Sequence, residues 1–105
     1  MSMNPILSGL PPTHPGEILR EDVLPGIHLS KTEIARLLGV SRQTLHDVLA
    51  ERQPVTPAMA LRLAKLFGSS PQVWINLQRD YDLRVLAESM REELAAIQTL
   101  PRNAA

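Results

Sequence analysis

An all-α fold of five helices is what this sequence predicts, and three observations carry the prediction. The 105 residues are 44% hydrophobic but include only one Trp, one Tyr and one Phe, so the core must be built from Leu, Ile, Val, Met and Ala. That palette suits helices better than sheets. Apolar residues recur at i, i+3, i+4 and i+7, most clearly as Ala60, Leu63, Ala64 and Phe67. Neither an alternating strand pattern nor an Asn-Gly hairpin turn occurs.

Each element has its own start and stop. Residues 1–12, MSMNPILSGLPP, hold three prolines, a glycine and no charge, and are expected to form an irregular arm. Thr13 is expected to cap the first helix, with Pro15 in its opening turn, Ile18, Leu19 and Val23 facing inward, and an end near Pro25-Gly26. Ser30 and Glu33 in SKTE read as a capping box for the second helix, which Gly39 ends. Ser41 caps a third helix bearing Leu45, Val48 and Leu49. Thr56 and Pro57 open a fourth, closed by Gly68, and Ser70-Pro71 opens a fifth with Val73, Trp74, Leu77 and Tyr81 facing inward. Residues 13–87 thus form one domain, and residues 88–105 a helical extension with a short tail. Along that extension Leu86, Met90, Leu94 and Ile97 continue an apolar stripe, which either folds back on the domain or forms a homodimer interface.

Composition excludes several classes. There is no cysteine, hence no disulfide, thiolate nucleophile or cysteine-ligated zinc, as suits a reducing compartment. No apolar run approaches the ~20 residues of a membrane span and no signal-like start is present, so a cytosolic protein without membrane association is expected. His14, His28 and His46 show no ligand spacing, no phosphate-cradling glycine loop occurs, and neither metal nor cofactor is expected. Ser41, His46 and Asp47 fall on one short helix, with Ser41 and Asp47 on roughly opposite sides, so no Ser-His-Asp relay closes. Nothing marks the chain as an enzyme.

Net charge is zero, which at first argues against a nucleic-acid partner. Its distribution changes that. Residues 31–66 hold six Lys or Arg against three Asp or Glu, the segment before holds one against three, and the segment after four against five. Within the basic segment, counting from Lys31, Ile34, Ala35, Leu38, Gly39, Val40, Leu45 and Val48 meet the demands of a helix-turn-helix: a small residue where the helices cross, a glycine able to take positive φ in the turn, and apolar inner faces. An αα-corner without a ligand has similar demands. The outer face of the third helix discriminates, because it carries types that address DNA where a plain solvent face would carry Glu and Lys. Gln43 suits adenine and Asp47 suits cytosine N4, while Arg42, Thr44 and the first-turn amides after Ser41 suit phosphate or base contacts at the groove edge. Thr32 is placed as a backbone anchor. His46 is either a contact or a solvated surface residue.

With those residues in hand, three stretches resemble the HigA family of antitoxins, also known as plasmid-maintenance antidote proteins, within the Xre/Cro class of lambda-repressor-like helix-turn-helix domains. They are PPTHPGEILREDVL, LSKTEIARLLGVSRQTLHDVLAERQPVTPAMALRLAKLF and SPQVWINLQRDYDL, spanning roughly residues 11–87. The middle stretch is shared with many repressors, and the flanking two are more specific to these antitoxins. The resemblance implies a dimeric repressor of its own operon that also silences a HigB-like toxin, a RelE-like mRNA endoribonuclease. It places DNA contacts on Arg42, Gln43, Thr44 and Asp47. For the toxin, the acidic face of Glu17, Glu21 and Asp22 offers a dock of suitable charge. A stand-alone Xre-type regulator and a helical protein-interaction module without a DNA role are the competing expectations.

Overall fold

The structure, a computed structural model, describes residues 13–101. The predicted arm and the last four residues lie outside the described residues. Six α-helices and no strand occur among them: α1 Pro15–Ile18, α2 Lys31–Leu38, α3 Arg42–Leu49, α4 Pro57–Phe67, α5 Pro71–Ser89 and α6 Arg91–Ala95. The all-α expectation holds.

α1 is short because its helical path changes pitch, continuing as a π turn over Leu19–Val23 and a 3-10 turn over Leu24–Gly26. The N–H of Leu24 donates to the carbonyl of Leu19 five residues back, the bond that defines a π turn. Thr13 is not the cap. His14 fills that role, its Nδ1 accepting from the Gly16 N–H at 2.8 Å, and its ring lies edge-on to Tyr81 at 4.9 Å. It is only 3% exposed, so a ring that looked free in the sequence is a core element.

Ser30, Ser41, Thr56 and Ser70 cap α2, α3, α4 and α5 as expected. The capping box at α2 is half formed: Ser30 Oγ accepts from the Glu33 N–H at 3.1 Å, but the Glu33 carboxylate pairs with Arg36 and does not reach back. Gly39 and Gly68 end their helices at φ 76° and 70°, and the 6→1 bonds from Val40 to Ala35 and from Ser69 to Ala64 complete Schellman turns.

The core gathers Leu19, Ile34, Ala35, Leu38, Leu45, Val48, Leu49, Val55, Met59, Ala60, Leu63 and Trp74. Ala35 sits where the two helices of the motif cross, and Ala60 gives α4 the same close approach; both are at most 2% exposed. Burying each large aliphatic side chain contributes about 1.5–3 kcal/mol. Buried polar groups are answered: Gln78 Oε1 accepts from the Val55 N–H at 2.8 Å and its amide donates to Asp82, and Trp74 Nε1 donates to Ser69 Oγ. Val73, expected inside, is 50% exposed, because the buried face of α5 runs through Trp74 and Gln78, one turn apart, and Val73 lies to the side of it.

α5 outruns the domain. It continues unbroken past residue 87 to Ser89, and α6 follows a kink at Met90. Beyond Tyr81 every residue to Pro101 is exposed except the half-buried Arg84. Folding back of the apolar stripe is therefore excluded, since Leu86, Met90, Leu94 and Ile97 are 52, 37, 44 and 68% exposed.

Candidate nucleic-acid interface

α3 is built to be held from behind. Leu45, Val48 and Leu49 are at most 3% exposed, while Arg42, Gln43, His46 and Ala50 are exposed and Thr44 and Asp47 half-buried. The face deduced from helical periodicity is the face presented. Ser41 Oγ accepts from the Thr44 N–H at 3.0 Å and donates to Thr44 Oγ1 at 2.9 Å, so both hydroxyls are fixed at the helix start. Thr32 is exposed in the first turn of α2, and Lys31, Arg42, Gln43 and His46 line an open cleft of about 450 Å³ between the two helix starts. Two N-termini, a lysine and an arginine make this cleft electropositive.

Asp47 is less free than the helical wheel implied. Its Oδ1 accepts from Arg52 Nη2 at 2.8 Å and from Gln43 Nε2 at 2.9 Å, and the Arg52 guanidinium foremost holds its carboxyl below the ordinary value. Gln43 is thereby oriented along the helix. Arg52 and Lys31 were missed from the sequence. Arg52 follows the end of α3, where Glu51 takes φ 65° and the chain turns back on itself, a turn that helical periodicity does not foresee.

Arginines from neighbouring helices close both helices of the motif. Arg62 of α4 donates through Nη1 to the carbonyls of Leu38 at 2.8 Å and Gly39 at 3.3 Å. Arg20 of the π turn donates to the carbonyl of Leu49 at 2.6 Å. Both satisfy helix-terminal carbonyls with a cation at the negative end of the dipole. Glu17, Glu21 and Asp22 are all exposed, with Glu21 paired to Arg20 at 2.9 Å. Among the described residues no group of three metal-ligating side chains is gathered, and Ser41, His46 and Asp47 form no relay.

A short helix packed on one face, exposed on the other, and joined by a glycine turn to a capped partner defines a helix-turn-helix domain of the regulator class, a non-enzymatic fold. A family model described as helix-turn-helix matches residues 27–74. Virulence-associated protein I of Dichelobacter nodosus is 38% identical over 95 residues, which are 90% of this chain and 87% of that one. The Pseudomonas aeruginosa antitoxin HigA with the higBA promoter superposes with a TM-score of 0.81 at 36% identity, over 86% of this chain and 99% of that one. Antitoxin GraA in complex with its operator gives 0.82 at 37% identity, over 96% and 99%. This chain belongs to the HigA family of helix-turn-helix antitoxins, as its three quoted stretches indicated.

Proposed function

We propose that the protein binds a palindromic operator as a homodimer, represses its own operon, and neutralises a HigB-like, RelE-type mRNA endoribonuclease. The observation that carries the DNA part is the exposed polar face of α3 beside an electropositive cleft, on a helix whose other face is fully buried. In this reading α3 enters the major groove. Gln43 addresses a base edge from the orientation Asp47 gives it, and Asp47 and His46 lie within reach of neighbouring bases. Arg42, Thr44, Ser41, Thr32 and Lys31 meet backbone phosphates. HigA and GraA, each solved with its operator or promoter, support the same docking here.

The toxin part rests on family membership together with the acidic face of Glu17, Glu21 and Asp22. A ribonuclease presents a basic surface to RNA, and an acidic face steers its approach. No described helix is long and apolar enough to cross a membrane, which suits partners met in solution.

Selection of bound duplexes from random DNA at two salt concentrations tests the reading. A recovered palindrome with steeply salt-dependent affinity is expected, and absence of any enriched sequence would remove the repressor role. Co-expression with the adjacent reading frame tests the toxin role. Growth rescue by the wild-type chain, lost on charge reversal of Glu17, Glu21 and Asp22, is the expected result, and a neighbour harmless on its own would leave a stand-alone regulator.

A further inference from the structure

α3 ends in a Schellman turn like those after α2 and α4: Glu51 N–H donates to Val48 O at 3.0 Å and Arg52 N–H to Asp47 O at 2.8 Å. The other two turns place glycine at the left-handed position, but this one places Glu51, at φ 65°. A non-glycine residue there is strained and persists where its surroundings hold it. What holds it is Arg20. One guanidinium donates through Nη1 to the Leu49 carbonyl at 2.6 Å and to Glu51 Oε2 at 3.3 Å, and through Nε to Glu21 Oε2 at 2.9 Å. The same turn brings Arg52 back onto Asp47, which orients Gln43. A chain of charged contacts therefore runs from the first helical segment, through the end of α3, to its outer face.

We propose that Arg20 is a positioning residue for base reading, fixing the C-terminal turn of α3 through Leu49 and Glu51 and so the angle at which Gln43 meets DNA. The proposal rests on the reading of α3 as the DNA-recognition helix. Arg20 touches no base; it determines how sharply the helix discriminates. Its contact with Glu21 also places the acidic face one ion pair away from the recognition helix.

Titration of the selected operator and of a scrambled duplex, each over a range of salt, separates the possibilities. Arg20→Met is expected to lower the operator-to-scrambled affinity ratio about tenfold while the salt slope stays at the wild-type value, since no phosphate contact is lost. Glu51→Gly relieves the backbone strain but deletes the carboxylate. It is expected to unfold at no lower denaturant concentration than wild type and yet lose about threefold in the ratio. A salt slope reduced by about one in Arg20→Met would make Arg20 a phosphate ligand and overturn the proposal. So would a lowered melting temperature with an unchanged ratio, the mark of a purely structural cap. If Arg20→Met does not fold, Glu51→Gly carries the test alone, and an undiminished ratio there overturns the positioning role. A wild-type chain that fails to distinguish operator from scrambled duplex would instead remove the DNA reading on which the proposal stands.

Discussion

At the scale of single residues, buried His14 makes a prediction independent of DNA. Desolvation foremost lowers its pKa from the ordinary 6.5, with Glu51 and Asp82 opposing the shift. Its Nδ1 must stay unprotonated to accept from Gly16. Above pH 6.5 both folded and unfolded chains hold a neutral ring, and the stability is fully present. As pH falls below 6.5 the unfolded chain takes up the proton first, so stability declines until the folded ring protonates too. The lowered carboxyls of Asp47 and Glu33 lose their stabilising ionisation only at more acidic pH, below their ordinary 3.8 and 4.5. His14→Asn keeps a side chain able to cap and is expected to flatten the melting-temperature profile between pH 6.5 and 5 while leaving the acid limb in place. A mutant profile parallel to wild type in that window would exclude His14 as its origin. At the DNA face, Gln43→Ala is expected to relax preference at one operator position and weaken binding by roughly 1–3 kcal/mol, whereas Arg42→Ala weakens all sequences alike and lowers the salt slope by about one. Footprinting against a panel of single-base operator variants reads both, and an unchanged preference in Gln43→Ala would remove its base-reading role.

At the scale of elements, the parts of the fold legible in the sequence are those set by local chemistry. Ser30, Ser41, Thr56 and Ser70 cap where their spacing said, and Gly39 and Gly68 take positive φ where helices stop. The outer face of α3 was legible because a helix with Leu45 inward has no freedom in where Gln43 and His46 point. What was not legible depends on which elements meet. His14 could not be told from a surface histidine until Tyr81 of α5 was placed beside it. That Arg20 and Arg62 cap helix ends is not legible in the sequence, because the carbonyls they cap lie 29 and 24 residues away along the chain. Gly16 belongs with them. It looks like a weak helix residue, yet a Cβ there would lie 2.0 Å from the Val48 carbonyl oxygen, which means α1 packs backbone to backbone on α3. Gly16→Ala is therefore expected to cost about 3 kcal/mol by forcing the elements apart. Gly68→Ala, whose Cβ would meet nothing within 4 Å, should cost about 1 kcal/mol from its positive φ alone. Urea unfolding of the two variants gives the comparison, and equal costs would show that the α1–α3 crossing is not close.

At the scale of the whole molecule, the radius of gyration is 17.1 Å against about 13 Å for a compact chain of this length. The excess comes from the far end of α5 and α6, which extend past the core. Leu86, Met90, Leu94 and Ile97 are exposed there among charged neighbours, and an apolar stripe of this kind marks an association surface. We propose a second copy as its occupant, and the reason is functional. One recognition helix reads too few base pairs for a useful specificity ratio, whereas a two-fold pair reads a palindrome with half-sites ~34–36 Å apart. Truncation after Asp82 isolates this surface without opening the core, because it keeps Trp74, Tyr81 and the Gln78–Asp82 hydrogen bond and removes a segment whose described residues are all exposed except Arg84. The truncated chain is expected to melt cooperatively, sediment as a monomer, and bind the palindrome no more tightly than a single half-site. Joining two truncated chains through a flexible linker should restore part of the lost affinity by raising the effective concentration of the second recognition helix. Sedimentation of the truncated chain as a dimer would move the interface off the stripe and onto the remaining exposed surface, where Leu29, Leu37, Leu61 and Val73 are the large exposed apolar side chains among the described residues.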